Sequence, residues 1–241
     1  MTTHLQIDFV SDIACPWCVV GLRSLDQALA KVAGNITADI HFQPFELNPQ
    51  MGPEGQDITE HITQKYGISV EQANANRENI RKRGAELGFT FTKPDEGSGG
   101  RNRAYNTFDA HRLLHWADLE DAEARAEGSL GAADVGTTQK ALKEALFKAY
   151  FTDGKNLSNH DELVKVVSEV GLDAERAIEI LASDTFVDEV REREAFFQRH
   201  GINSVPAIII NQKHLISGGQ PPEVFEQALR QIAAQSLLQE R

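Results

Sequence analysis

The chain opens on an apolar, β-branched run, LQIDFV (5–10), in which Asp8 is the single acid. This pattern predicts a first strand. After a short turn, Val19, Leu22, Leu25, Leu29 and Val32 recur at helical spacing, and Gly34 marks the end of that helix. In ITADIHFQPF (36–45), Ile36, Ala38, Ile40 and Phe42 alternate with polar residues, the signature of a half-buried strand. Residues 5–45 therefore read as strand, helix, strand.

Helical spacing then dominates. A helix is expected over 57–67, from an acid to a glycine, and another over 70–88, with Val70, Ala73, Ile80 and Leu87 near one face. Residues 103–118 read as a further helix bearing Phe108, His111, Leu114 and Trp116. Over 138–151, Ala141, Leu142, Ala145, Leu146, Ala149 and Tyr150 form one broad face. Ser158 is expected to cap a helix ending at Gly171, and Asp173 to cap the next, which ends near Ser183. One more helix spans 185–200. TKPDEGSGGRN (92–102) reads as a loop, and the Ala-, Gly- and acid-rich 119–136 as a frayed helix and loop.

The grammar reverts near the end. VPAIIIN (205–211) is a continuous β-branched run, NQKH (211–214) a tight turn, and HLIS (214–217) a partner strand. A last helix begins near Pro221 and buries Val224, Phe225, Ala228, Leu229 and Ile232. The fold class is α/β. A small mixed sheet with its helices comprises 1–50 and 185–241, and 51–184 form an inserted all-helical domain.

Composition narrows the partners. The formal charge of −12 argues against nucleic acid or an anionic membrane surface. No stretch approaches the roughly 18 apolar residues that span a bilayer. MTTHLQIDFVSD lacks a cationic patch followed by a long apolar run, so a cytoplasmic location is expected.

The chemistry gathers in SDIACPWCVVG (11–21), which holds both cysteines of the chain. In a reducing compartment a permanent staple is disfavoured, and a bridge between residues three apart closes almost no loop. Cys15 falls at a helix N-terminus, where free N–H groups and the helix dipole favour an anion such as a thiolate. Cys18, one turn inward, is more shielded. That asymmetry suits an exchange in which Cys15 attacks and Cys18 resolves. Pro16 fits the first helical turn, and Trp17 presents an apolar face to a substrate. Cys-X-X-Cys is also half a zinc site, but no second cysteine pair exists. His111 and His115 are spaced i, i+4 within HRLLH, without the Glu of an H-E-x-x-H motif, and no metal is expected. Asp8, seven residues before Cys15, is expected to lie beneath the dithiol and accept a proton during resolution. In INSVPAIIIN, Pro206 opens a strand after Val205. It is placed for a cis bond that leaves the Val205 backbone free to pair with an extended peptide.

Taken together, a dithiol after the first strand and a Val-Pro before a late hairpin resemble the thioredoxin superfamily. CPWC, PFELNP (44–49), NTFDAHRLLHWA (106–117), LFKAYF (146–151), SVPAIIIN and GGQPPE, in that order, resemble the DsbA-like proteins with a helical insertion, and among them the FrnE-like branch. The resemblance implies a thioredoxin fold with an inserted helical domain, and thiol–disulfide exchange as the activity. It makes Cys15 the attacking thiol, Cys18 the resolving one and Pro206 the cis-proline facing them. Phe45, Phe108, His111 and Trp116 become walls of the substrate cleft. It implies no bound cofactor. Expected partners are substrate proteins or small-molecule disulfides, with glutathione as redox partner or substrate. A homodimer is compatible with the pattern but not demanded by it. The strongly oxidising DsbA proteins carry His where this chain has Trp17, and 119–136 is longer than that branch usually shows. Two other readings stay open. One is a glutathione-dependent isomerase or transferase related to the 2-hydroxychromene-2-carboxylate isomerases and kappa-class enzymes, which typically carry Ser where Cys15 stands. The other is a peptide-binding chaperone.

Overall fold

A computed structural model of the chain describes residues 2–92, 103–129 and 137–239. Strand β1 (Thr3–Ser11) lies at the centre of the sheet and buries Leu5, Ile7, Phe9 and Val10. It pairs in parallel with β2 (Ile36–Pro44), Phe9 opposite Phe42. Helix α1 (Pro16–Val32) makes the crossover. Its stripe of Cys18, Val19, Leu22, Leu25, Ala28 and Val32 is buried against the sheet, which is the 3.6-residue period read from the sequence.

Past β2, a two-residue strand β3 (Gln56–Asp57) leads into α2 (Ile58–Tyr66), capped by the Asp57 carboxylate at the N–H groups of Thr59 and Glu60. A capping box between Ser69 and Gln72 opens α3 (Val70–Glu86). The expected helix over 103–118 begins later and ends later. Arg103–Ala104 form a short strand β4 antiparallel to β3, and α4 runs from Phe108 to Ala126. The side chain of Asn106 accepts the Phe108 N–H and so sets the start. The loop expected over 92–102 lies, but for Thr92, outside the described residues, as does the end of the 119–136 segment.

Helices α5 (Thr138–Phe151), α6 (His160–Glu169) and α7 (Ala174–Leu181) pack with α4 around a second core of Leu113, Leu142, Leu146, Leu163, Ala177 and Ile180. Asp173 caps α7 as expected. The cap of α6 is Asn159 rather than Ser158, whose hydroxyl donates instead to the carbonyl of Asn106. Helix α8 (Val187–Arg199) returns the chain to the sheet. Strand β5 (Ala207–Ile210) pairs antiparallel with β1, and β6 (His214–Ser217) with β5, giving the order β2-β1-β5-β6. Asn211 and Gln212, both at positive φ, make the tight turn between them. Helix α9 (Pro222–Gln239) lies beside α1. The result is a mixed α/β, thioredoxin-like core carrying a large helical insertion.

Side chains tie the insertion to the sheet at its β2 margin, where His41 meets Asp118 of α4 at 3.0 Å. Gln139 of α5 accepts the Phe42 N–H at 2.9 Å and donates to the Phe42 carbonyl at 3.1 Å. Its helix also fixes α1 through Lys140 and Asp26 at 2.6 Å.

Candidate active site

Strand β1 stops at Ser11, and Asp12, Ile13 and Ala14 turn the chain into α1. Cys15 is the N-cap, with extended backbone, and Pro16 follows where a missing N–H costs no helical bond. The Cys15 N–H donates to the Asp12 carbonyl at 3.2 Å, and the Cys18 N–H to the Cys15 carbonyl at 3.0 Å. Both thiols are free. Cys15 is 4% exposed and Cys18 is fully buried. Trp17 between them is 36% exposed, so it faces outward as expected.

The late hairpin closes over this turn. The Val205–Pro206 peptide bond is cis, and the Cys15 Sγ lies 3.6 Å from the Val205 carbonyl oxygen. Two glycines allow the close approach. A Cβ on Gly21 would sit 3.0 Å from Pro206 Cγ, and one on Gly219 would sit 2.9 Å from the Trp17 carbonyl oxygen. Neither glycine stood out in the sequence beyond the turn signal of Gly218–Gly219.

Asp8 does not lie beneath the dithiol. It is half-buried in mid-strand and accepts a hydrogen bond from Gln43 at 2.6 Å. The buried acid of the turn is Asp12, at the strand's carboxyl end. Its Oδ1 accepts the Ala14 N–H (3.1 Å) and the Thr107 hydroxyl (2.7 Å), and its Oδ2 accepts the Leu47 N–H (2.6 Å). His111 Nε2 stands 3.6 Å from Oδ1. Burial pushes this carboxyl up, but His111 and the donated hydrogen bonds outweigh it and hold Asp12 below the usual carboxylate range.

A second buried ion was also illegible in the sequence. Lys143 of α5 is fully buried, with Nζ 4.8 Å from the ring centre of Phe147 and 5.9 Å from that of Phe42. It has no hydrogen-bond partner among the described residues. Burial lowers it to about 8, against the opposing pull of Cys18, Asp12 and Cys15. Burial, then the neighbouring Cys15, push the Cys18 thiol well up, and Lys143 acts in the other direction.

The proposed wall residues separate. Phe45 packs with Val10, Phe197, Ile202 and Ala207, beside half-buried Val205. Phe108 carries the Arg191 guanidinium 3.7 Å over its ring. His111 reaches Asp12 and also lines a cavity of about 170 Å³ with Gln43, His115 and Arg193. Trp116 is not a cleft residue. It is buried in the helical core, its indole N–H bonded to Glu120 at 2.7 Å. His115 stacks edge-on against Phe186, and no group of three metal-ligating side chains is assembled among the described residues. On α2, Lys65 donates to the Leu47 carbonyl and the Asn48 side chain, both at 2.7 Å, and Tyr66 beside it is exposed.

Known proteins share this fold. The probable DsbA oxidoreductase SCO1869 of Streptomyces coelicolor superposes with a TM-score of 0.78 at 32% identity, over 95% of this chain and 89% of that one. A 2-hydroxychromene-2-carboxylate isomerase superposes at 0.67 with 14% identity, over 96% and 98%. The cytosolic disulfide reductase DsbM of Pseudomonas aeruginosa, solved with GSH, does so at 0.57 with 14% identity, over 94% and 98%. The last two likenesses concern the fold alone. Residues 6–230 match the DSBA-like thioredoxin domain, so nearly the whole chain, dithiol turn and helical insertion together, belongs to the DsbA-like family of thiol–disulfide oxidoreductases.

Proposed function

We propose that Cys15-Pro16-Trp17-Cys18 is a redox centre in which Cys15 attacks a substrate disulfide and Cys18 resolves the mixed disulfide. The observation that carries this is the asymmetry of two free thiols in one turn: Cys15 sits at the helix N-cap beside Val205, and Cys18 is closed off from solvent. Attack by the Cys15 thiolate breaks the substrate S–S bond and releases one thiolate. Attack by Cys18 on Cys15 Sγ then releases the other and leaves the Cys15–Cys18 disulfide. The two electrons pass from the dithiol to the substrate, and run the other way in oxidation.

The chain fits the FrnE-like branch of the family, acting in the cytoplasm with glutathione as its thiol partner. The GSH-bound cytosolic reductase of the same fold supports that choice. Trp17, exposed between the two thiols in sequence, supplies an apolar face for a protein or small-molecule disulfide. The fold of the isomerase favours a second reading, glutathione-dependent isomerisation. Cys15 where those enzymes typically have Ser, and the presence of Cys18, favour the dithiol.

Equilibration in glutathione buffers of stepped potential, followed by alkylation and mass counting of free thiols, tests the proposal. A reversible two-electron transition, lost in Cys15→Ser, is expected. Two thiols that stay free across the range sink it.

A further inference from the structure

Thr107 stands at the N-cap of α4 and does not cap it. A threonine in that place ordinarily accepts a hydrogen bond from an N–H of its own first turn. Here the Asn106 side chain accepts the Phe108 N–H instead. The Thr107 hydroxyl, 3% exposed, turns away from its helix and donates to Asp12 Oδ1 at 2.7 Å. One turn on, His111 donates its N–H to the Thr107 carbonyl at 3.1 Å and brings Nε2 to 3.6 Å from the same oxygen. Two side chains of the insertion thus converge on one carboxylate, and that carboxylate is built into the dithiol turn. Its Oδ1 accepts the Ala14 N–H at 3.1 Å, and the Asp12 carbonyl accepts the Cys15 N–H at 3.2 Å. Ile13 is buried in the core of the insertion with Ala110, Leu113 and Leu114 of α4, whereas Cys15 and Cys18 belong to the core of the sheet. The turn is therefore shared between the two halves of the fold. From the sheet side, the Leu47 N–H holds Asp12 Oδ2 at 2.6 Å, and the Val205 carbonyl oxygen lies 3.6 Å from Cys15 Sγ. From the insertion side, Thr107 supplies a hydrogen bond to the turn that its own helix forgoes.

We propose that Thr107 is a positioning residue for Cys15, its hydroxyl anchoring the Asp12 carboxylate, and through it the dithiol turn, to the insertion. The inference rests on the redox reading above. Thiol–disulfide exchange requires the attacking sulfur to be held against the S–S bond that breaks, and a small misplacement of a reacting atom slows the step steeply. In this fold the backbone on either side of that sulfur is set from two directions. The cis peptide before Pro206 and the end of β2 fix it from the sheet, and α4 fixes it through Thr107. The role needs the hydroxyl of Thr107 and not its methyl group, which gives the proposal a sharp chemical signature.

Thr107→Val keeps the shape and the β-branch and removes the donor. Thr107→Ser keeps the donor and removes the methyl group. In glutathione-driven reduction of insulin disulfides by the full chain, Thr107→Val is expected to lower kcat about tenfold and to leave KM within about twofold of the wild type. Thr107→Ser is expected to restore kcat. Wild-type kcat in Thr107→Val overturns the proposal, and so does a Thr107→Ser as slow as Thr107→Val, because the hydroxyl is then not the agent. A raised KM at unchanged kcat assigns Thr107 to substrate binding and overturns it as well. Amide hydrogen exchange reads the anchor without any turnover. In Thr107→Val the Ala14 and Cys15 amides are expected to exchange about tenfold faster while Ile7 and Phe9 of β1 keep their protection. Unchanged exchange at Ala14 and Cys15, or the same acceleration at all four, overturns the proposal, since the second is a general loss of stability. If the wild type shows no two-electron transition in glutathione buffers, the redox reading itself fails and the proposal with it.

Discussion

Arg112 and Lys143 are long cationic side chains on neighbouring helices of the insertion, α4 and α5, and both are withdrawn from water. Their surroundings differ in kind. Arg112 donates from Nε to the Thr185 carbonyl at 2.9 Å, to Asp109 at 2.7 Å, and to the carbonyls of Ile180 and Ser183 at the end of α7. These carbonyls lie at the negative end of a helix dipole, and that of Ile180 also accepts the Ser183 N–H at 3.3 Å. The guanidinium satisfies them and ties α4 to α7. Lys143 satisfies nothing, and its ammonium rests on the rings of Phe42 and Phe147, in the core that also holds Cys15 and Cys18. A buried cation with every nitrogen engaged holds a fold together. One with none engaged weakens the fold and is left free to respond to a change of charge nearby.

The largest effect should separate chemistry from architecture. Cys15→Ser is expected to lower disulfide turnover at least ~1,000-fold, as loss of a nucleophile does, while thermal unfolding moves little. Loss of stability of several kcal/mol would mean that Cys15 is a packing residue first. Next comes Arg112→Met, expected to cost about 3–5 kcal/mol because the Thr185 and Ser183 carbonyls lose the guanidinium and Asp109 loses an ion-pair partner. Denaturant unfolding measures this, and the redox midpoint should stay where it was.

Lys143→Met should act in the opposite direction. Burial holds the folded lysine at about 8 against 10.5 in its ordinary state. The unfolded chain therefore binds more protons between those values, and wild-type stability rises with pH across that window. Below pH 8 the substitution is expected to stabilise the reduced protein by roughly 3 kcal/mol, a gain that fades toward pH 10. A destabilised Lys143→Met across the whole range would erase the contrast with Arg112. The smallest effect belongs to Asp12→Asn, which turns an acceptor of three donated bonds into a group with one donor of its own, at a cost of about 1–3 kcal/mol. Because the folded Asp12 carboxyl is held low, its contribution is present above the unfolded value and lost as pH falls through the folded one. Wild type and variant should therefore converge below about pH 4 in acid unfolding.

What was legible in the sequence was local. The dithiol turn, the Asp173 cap, the proline ahead of β5 and the tight turn at Asn211 each declare themselves within a few residues. What was not legible depends on distant partners. Residues 103–107 read as the start of a helix because their extended pairing is with residues nearly fifty positions earlier. Helix α5 packs between two cores, Phe147 toward the sheet and Leu142, Leu146 and Ala149 toward the helices, so Ala141 is exposed and Lys143 buried, against the single-face reading. Asp8 and Asp12 look alike in a sequence. Only the end of the strand, and the Leu47 and Thr107 donors that converge there, decide which of the two acids lies at the thiols.

A last consequence follows from Gln139. In the order β2-β1-β5-β6, strand β2 is a sheet margin whose outward N–H and C=O groups are open to a strand from another chain. The amide of Gln139 stands toward the carboxyl end of that margin and occupies both groups of Phe42, as a neighbouring strand would. At Phe42 one side chain closes the margin to pairing by another strand. The other margin, β6, offers only the four residues His214–Ser217 to a chain that would extend this sheet.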